Sequence, residues 1–433
     1  MSAVVEADLT WTGERFESGV QVAVGSDGRI EAVGRLGRAV ERRLQGRALL
    51  PGLVSTHSHA FQRGLRGRGE RFPDGTGSFW TWREAMYGLV RSLDAERFQE
   101  ICALTFGEML DAGITAVGEF HYLHHPPDSQ DHAFDRLVLD AAAQAGIRIA
   151  LLSTCYQVGG IGRPLEAAQR RFATSGAAFW ESVDRLEEDL DPTIQSLGIA
   201  AHSVRAVPLE EIVRLHDETT RRGLLFHMHV AEQRREVEAC VERYGRPPLT
   251  LLNEELPIDG RFTAVHCTYA EPAELERFVA DGGNVCLCPL TEANLGDGIL
   301  ELAPILAGKA DPIGGLCLGT DSNARISMVE EMRWLEYGQR LATRSRGVLV
   351  NRNDAARALL EIATVSGARS LGIEAGEIAA GRRADFLTLD LDRPEMEGLD
   401  EESLLAGWIF GAGNSVVAGT CVGGRWRRRR SSP

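Results

Sequence analysis

The stretch ALLPGLVSTHSH, residues 48–59, is an apolar run that ends in two histidines one residue apart. In an extended strand, residues i and i+2 project from the same face, so His57 and His59 can grip one cation from one side. The same arrangement recurs along the chain: a short apolar run, then polar residues, then a helix-like stretch. Runs at 114–119, 147–153 and 197–201 lead into Glu119, His121 and Tyr122, into Cys155 and Tyr156, and into His202 and Arg205. Runs at 223–228, 262–265, 283–288 and 313–319 lead into His229 and Glu232, His266, Thr291 with Glu292 and Asn294, and Asp321. Helix-like stretches at 94–112, 131–145, 207–222, 232–243, 271–281 and 328–343 fall between them.

Near-continuous apolar strands alternating with helices predict a parallel sheet covered on both faces. Eight such runs predict an α/β fold closed as a (β/α)₈ barrel, with its chemistry at the C-terminal ends of the strands. An open doubly wound sheet would normally carry a phosphate-binding GxGxxG after its first strand, and none stands there. The flanks read differently. Residues 1–47 and 384–433 hold short β-rich runs punctuated by glycine, and are expected to form one small β-sandwich domain built from both termini around a catalytic barrel over 48–383.

The chain has 433 residues, 44% hydrophobic and 25% charged, which suits one large globular domain plus a smaller one. Met1 to Asp8 lack the basic start and apolar stretch of a signal peptide. No apolar run approaches the roughly 20 residues needed to span a bilayer. A cytoplasmic protein without a membrane partner is expected. Eight cysteines without CxxC spacing predict buried thiols rather than disulfides or a cysteine zinc site. A formal charge of −15 argues against a nucleic-acid partner, which needs a basic face, and Arg427 to Arg430 read as a solvated end.

His57, His59, His229 and Asp321 offer three nitrogen donors and one carboxylate, a set suited to one zinc-like divalent ion with room for a water. Glu232, three residues beyond His229, is placed to move a proton beside it, and His266 faces the same space.

These residues resemble the amidohydrolase superfamily, through PGLVSTHSHAFQRG (51–64), HMHVAEQ (227–233), VHCTYA (265–270), GTDSN (319–323) and GEIAAGRRADFLTLD (376–390). Binuclear members commonly bridge two metals with a carboxylated lysine on a central strand. The only lysine here, Lys309, precedes the last barrel run, so a single metal is expected. Within the superfamily, HSHAFQR (57–63), SFWTWREAMY (78–87), EFHYLHH (119–125), HSVRAV (202–207), TEANLGDGI (291–299) and VEEMRWLEYGQRL (329–341) are similar to the formimidoylglutamate deiminases. That resemblance implies zinc-dependent hydrolytic deamination of N-formimino-L-glutamate to N-formyl-L-glutamate and ammonia, in histidine degradation, and a homodimer. It implies that Gln62, Arg83, Tyr122, His202 and Arg205 form the substrate pocket. It further implies that Glu232 shuttles protons, that His266 orients the water and steadies the tetrahedral centre, and that Asp321 both binds metal and takes the first proton. A small acidic amidine with two carboxylates independently calls for bidentate cations in an acidic protein, and Arg83 and Arg205 are the candidates.

Two other classes stay open: a deaminase of another amidine or of a guanine-like or adenosine-like ring, and a metal-binding protein that has lost catalysis. Purine pockets are mainly apolar, which counts against the first, and the intact Glu232 and ligand set count against the second. Relatives usually read Asp-Ser-His where this chain has Asp321-Ser322-Asn323, so Asn323, with Arg325 nearby, is a point where recognition could change. His227 reads as a core histidine, His121, His124 and His125 as a loop beside Pro126-Pro127, and His132 and His216 as surface residues. Glu119 reads as structural or substrate-positioning, Trp80 and Trp82 as a packed wall beside Arg83, and Glu330, Glu331 and Glu336 as helix caps and decoration.

Overall fold

The computed structural model describes residues 3–72, 75–306 and 313–428, so Lys309 and Arg429 to Pro433 lie outside it. The short β-rich runs at the N-terminus form β1 (Ala3–Trp11), β2 (Phe16–Glu17), β3 (Gln21–Val24), β4 (Ile30–Gly34) and β5 (Arg42–Pro51). The apolar run from residue 48 then splits in two. Residues 48–51 finish β5, and β6 (Leu53–Ser58) starts the barrel. Gly52 makes the crossing: a Cβ there would lie 2.0 Å from Thr115 Oγ1, and its N–H donates to the Asp385 carbonyl at 2.9 Å. Periodicity alone cannot reveal such a break, because both strands are buried and apolar.

Seven further strands follow in parallel: β7 (Ile114–His121), β8 (Arg148–Cys155), β9 (Gln195–Ala201), β10 (Leu225–Val230), β11 (Phe262–His266), β12 (Asn284–Leu287) and β13 (Leu316–Leu318). The order β6 to β13 runs in sequence across an eight-stranded sheet. The seam between β13 and β6 is closed just past the strands: Thr320 and Asp321 N–H both donate to the His57 carbonyl, at 3.0 and 3.1 Å, and His59 N–H donates to the Asp321 carbonyl at 2.9 Å. A (β/α)₈ barrel of the expected type results. Helices cover it with apolar stripes, as in Ala95–Asp111, capped by Asp94 and burying Phe98, Ile101, Cys102, Phe106 and Met109.

The chain leaves the barrel through β14 (Phe386–Asp390), β15 (Val417–Val422) and β16 (Arg425–Arg428). β14 pairs antiparallel with β5, which joins both ends of the chain in one separate mixed sheet, β16-β15-β14-β5-β1-β3-β4 with β2 on β1. All eight cysteines are buried and free, as expected. Among the described residues no helix is long and apolar enough to cross a membrane.

Several polar residues expected on the surface are buried instead. His216 packs edge-on against Phe226, with ring centroids 5.2 Å apart. Glu331 accepts the Leu290 N–H at 2.9 Å. Glu336 accepts the N–H groups of Gly347, Val348 and Leu349 at 3.1, 3.2 and 2.9 Å. These carboxylates satisfy backbone amides of a helix start and a loop that would otherwise be orphaned, a task set by distant partners rather than by helix position.

Candidate active site

The C-terminal ends of the strands bring His57, His59, His229, His266 and Asp321 to one point. His59 Nδ1 lies 2.8 Å from the Phe120 carbonyl and His229 Nδ1 2.9 Å from the His202 carbonyl. Each Nδ1 therefore carries the proton, and each Nε2 turns a lone pair inward. Those Nε2 atoms are 3.3 Å apart, and His57 Nε2 is 3.2 Å from that of His229. Asp321 Oδ1 lies 3.4 Å from Nε2 of both His57 and His59. Converging lone pairs repel unless a cation sits among them, so this donor set fits a divalent metal.

Electrostatics agrees. Burial disfavours charge on the rings: the pKa of His59 falls to about 3, with His57 adding to the effect, and those of His57 and His229 fall too. Asp321, against the effect of its burial, is held below the usual carboxylate range by the hydrogen bond and charge of His57. Burial also opposes charge on His266, but the Glu292 carboxylate 3.2 Å from its Nδ1, with Glu232 and Asp321 nearby, pushes its pKa up to about 10.

Backbone conformation at the strand ends aims these side chains. His266 and Asp321 have φ of 74° and 45°, in the left-handed region, as does Ala231 at 49°, between His229 and Glu232. Gly319 allows the close approach of β13 to β6: a Cβ there would lie 2.8 Å from both Cβ and the carbonyl oxygen of His57.

A cavity of about 840 Å³ opens above the histidines. Its lining includes His59, Gln62, Arg83, Tyr122, His202, Arg205, His229, Glu232, His266 and Asp321; of the site residues expected from sequence, only His57 lies beneath the lining. Gln62 donates to Tyr122 Oη at 2.7 Å. Arg205 is ion-paired with Glu232, and its Nε lies 3.6 Å from Glu236 Oε2. Trp80 stacks beneath Arg83, whose guanidinium carbon is 5.5 Å from the ring centre, so the expected wall is present.

Asn323 and Arg325 do not reach this cavity. Asn323 is fully buried and its Nδ2 donates to Ser58 Oγ, the His59 carbonyl and the Asp321 carbonyl at 3.0, 3.1 and 2.9 Å, stapling the barrel seam. Arg325 points to solvent and pairs with Glu330. The departure at this position therefore alters how the seam is held rather than what the pocket presents.

His121, His124, His125 and His132, read as loop and surface residues, form a buried cluster instead. Asp135 sits 3.0 Å from His121 Nε2, 2.7 Å from His124 Nδ1 and 3.3 Å from His132 Nδ1. Burial opposes charge on His124, but Asp135 raises its pKa, and Asp135 in turn titrates well below its usual range. The two shorter separations are hydrogen-bond lengths, and the cluster clamps the segment that carries Tyr122. Glu119 accepts the Ala60 N–H at 2.6 Å, and burial raises its pKa to about 8, which is a structural placement at the start of the turn after His59. His227 is fully buried, as expected.

Residues 48–427 match the amidohydrolase family. The chain belongs to that family. Among relatives of this amidohydrolase, formimidoylglutamate deiminase of Pseudomonas aeruginosa is 39% identical, over 98% of this chain and 94% of that protein. The crystal structure of an amidohydrolase from Brucella melitensis superposes with a TM-score of 0.87 at 32% identity, covering 98% of this chain and 94% of that one. An adenosine deaminase from Xanthomonas campestris with bound zinc shares the fold, with a TM-score of 0.83 at 24% identity, over 99% and 93% of the two chains. This amidohydrolase is accordingly a hydrolase acting on C–N bonds, with side-chain groups placed to hold a metal.

Glu292, which fixes His266, was noted as a polar residue after a strand but given no role, and Glu236, which faces Arg205, was missed because it lies in the helix Arg234–Tyr244 rather than at the strand end.

Proposed function

We propose that the protein hydrolyses N-formimino-L-glutamate to N-formyl-L-glutamate and ammonia with one divalent ion, zinc by its donor set. The observation that carries this reading is the pair of guanidinia, Arg83 and Arg205, set in the cavity that opens onto the His and Asp donors. A dicarboxylate amidine needs such cations, and a purine ring does not. The 39% identity to formimidoylglutamate deiminase supports the same substrate.

His57, His59, His229 and Asp321 would hold the ion. When bound, it supplies Lewis acidity, bringing the pKa of water near neutrality. As the water oxygen bonds to the amidine carbon, Asp321 takes the first of its protons; Glu232 takes the second, both pass to the terminal nitrogen, and the bond to that nitrogen breaks to release ammonia and leave the formyl carbonyl. The Arg205–Glu232 pair sets the order: a substrate carboxylate arriving at Arg205 competes for the guanidinium and frees Glu232 for the water. His266, anchored through Nδ1 by Glu292, turns Nε2 toward the reacting centre. Gln62, Tyr122 and His202 shape the wall that holds the amidine.

Ammonia release from N-formimino-L-glutamate, N-formimino-L-aspartate, adenosine and guanine tests the reading. The first compound is expected to exceed both purines in kcat/KM by at least about a hundredfold, since a site built for charged groups rejects ligands that leave them unpaired. Faster turnover of either purine would sink it.

A further inference from the structure

We propose that Tyr87 and Tyr156, held by the buried amide of Gln169, form with Arg83 a second carboxylate-binding subsite in the cavity. This rests on the substrate being a dicarboxylate, as argued above, and assigns the groups that meet one of its two anionic ends.

Gln169 is fully buried in the short turn Ala167–Phe172, where its Oε1 accepts the Glu166 N–H at 2.8 Å. That bond decides which end of the amide is nitrogen. Its Nε2 then faces two phenols, 3.1 Å from Tyr87 Oη and 3.0 Å from Tyr156 Oη. An amide nitrogen only donates, so both phenol oxygens accept. Arg83 Nε–H donates to Tyr87 Oη as well, at 2.5 Å, which occupies both lone pairs of that oxygen.

Each phenol keeps one hydrogen to give, and among the described residues neither finds an acceptor. Both rings line the cavity while being nearly buried, 3% exposed for Tyr87 and 5% for Tyr156. A buried donor without an acceptor is costly, and accepting bonds polarise the O–H into a stronger donor. Burial also pushes the Tyr156 pKa up, so the phenol keeps its proton and remains a donor at neutral pH.

Arg83 completes the set. Its Nε is taken by Tyr87 and its face lies over Trp80 and Tyr87, at 5.5 and 5.2 Å, yet no carboxylate pairs with it among the described residues. Arg205, by contrast, already faces Glu232 and Glu236. Two hydroxyl hydrogens and a free guanidinium edge, with no acceptor among them, are complementary to a carboxylate. Packing against Phe172 alone would be served equally by phenylalanines, which would leave the Gln169 Nε2 hydrogens only the Gly159 carbonyl at 3.4 Å.

The test combines Tyr156→Phe, Tyr87→Phe and the double variant with three substrates: N-formimino-L-glutamate, N-formimino-L-glutamine and 4-formimidamidobutanoate, the last two lacking one carboxylate each. In the double variant KM for the diacid is expected to rise by about ten- to hundredfold with kcat within about threefold. The monoacid that lacks the carboxylate seated at this subsite should show no further rise. Calorimetric binding of glutarate supplies a readout independent of turnover, with an expected loss of about tenfold or more in affinity. Should the native protein release no ammonia from any of the three, the functional reading fails while glutarate binding still judges the subsite. Unchanged KM for the diacid, equal shifts for all three substrates, or glutarate binding that is absent or unaffected would overturn it. If the double variant does not fold, Tyr156→Phe carries the same comparisons.

Discussion

Replacing Glu232 by glutamine is expected to lower kcat for ammonia release by about 10²–10⁴-fold while leaving the bound metal unchanged. Glu232 stands at the cavity wall, and the left-handed turn at Ala231 aims it over the histidines. Its backbone N–H is tied to Glu236 Oε2 at 3.1 Å, and its carboxylate is paired with Arg205. Glutamine keeps the size and an oxygen that can accept from Arg205, so the fold and the pocket persist. What it loses is the capacity to take up and return a proton. Steady-state kinetics with metal analysis of the same sample read both consequences. A native rate would remove Glu232 from the chemistry, and loss of metal would make it a ligand instead.

The second large effect concerns stability. Asp385→Ala is expected to cost about 3–5 kcal/mol, seen as a lower urea midpoint. Asp385 precedes β14 in the mixed sheet, and Arg148 opens β8 in the barrel. The two join in a bidentate pair, Nε to Oδ2 at 2.7 Å and Nη2 to Oδ1 at 3.0 Å, with side chains only 5% and 1% exposed. The Gly423 N–H also donates to Asp385 Oδ1 at 2.7 Å. Truncation thus strands a buried guanidinium and a backbone donor at the joint between sheet and barrel. Glu330→Ala, which removes the partner of the solvent-facing Arg325, should cost less than about 1 kcal/mol by the same measurement. Equal costs for the two would show that the joint contributes no more than a surface pair.

The barrel and the polar residues that converge at its strand ends were legible because both follow from local rules. A buried parallel strand shows as an apolar run, and the residue that ends it faces the site, which is how His57, His59, His229, His266 and Asp321 could be found. What stayed hidden depends on partners far along the chain. Gly52 divides an apolar run because Thr115 crowds it and the Asp385 carbonyl takes its N–H, and Asn323 works on the Ser58 and His59 side of the seam. His132 looked like a surface residue until Asp135 and His124 closed over it. Gln169 lies in a turn too short to show a period, and its contacts with two phenols reveal its place beside the cavity.

Metal reconstitution tests the central claim most directly, that a single metal-dependent centre deaminates an acidic amidine. Metal is stripped with a chelator and zinc is returned in fractions of an equivalent per chain, with ammonia release from N-formimino-L-glutamate as the readout. The His57, His59, His229 and Asp321 site predicts near-zero activity without metal and a linear rise that stops at one equivalent. A rise that continues to two equivalents, or a rate the chelator does not touch, would contradict it.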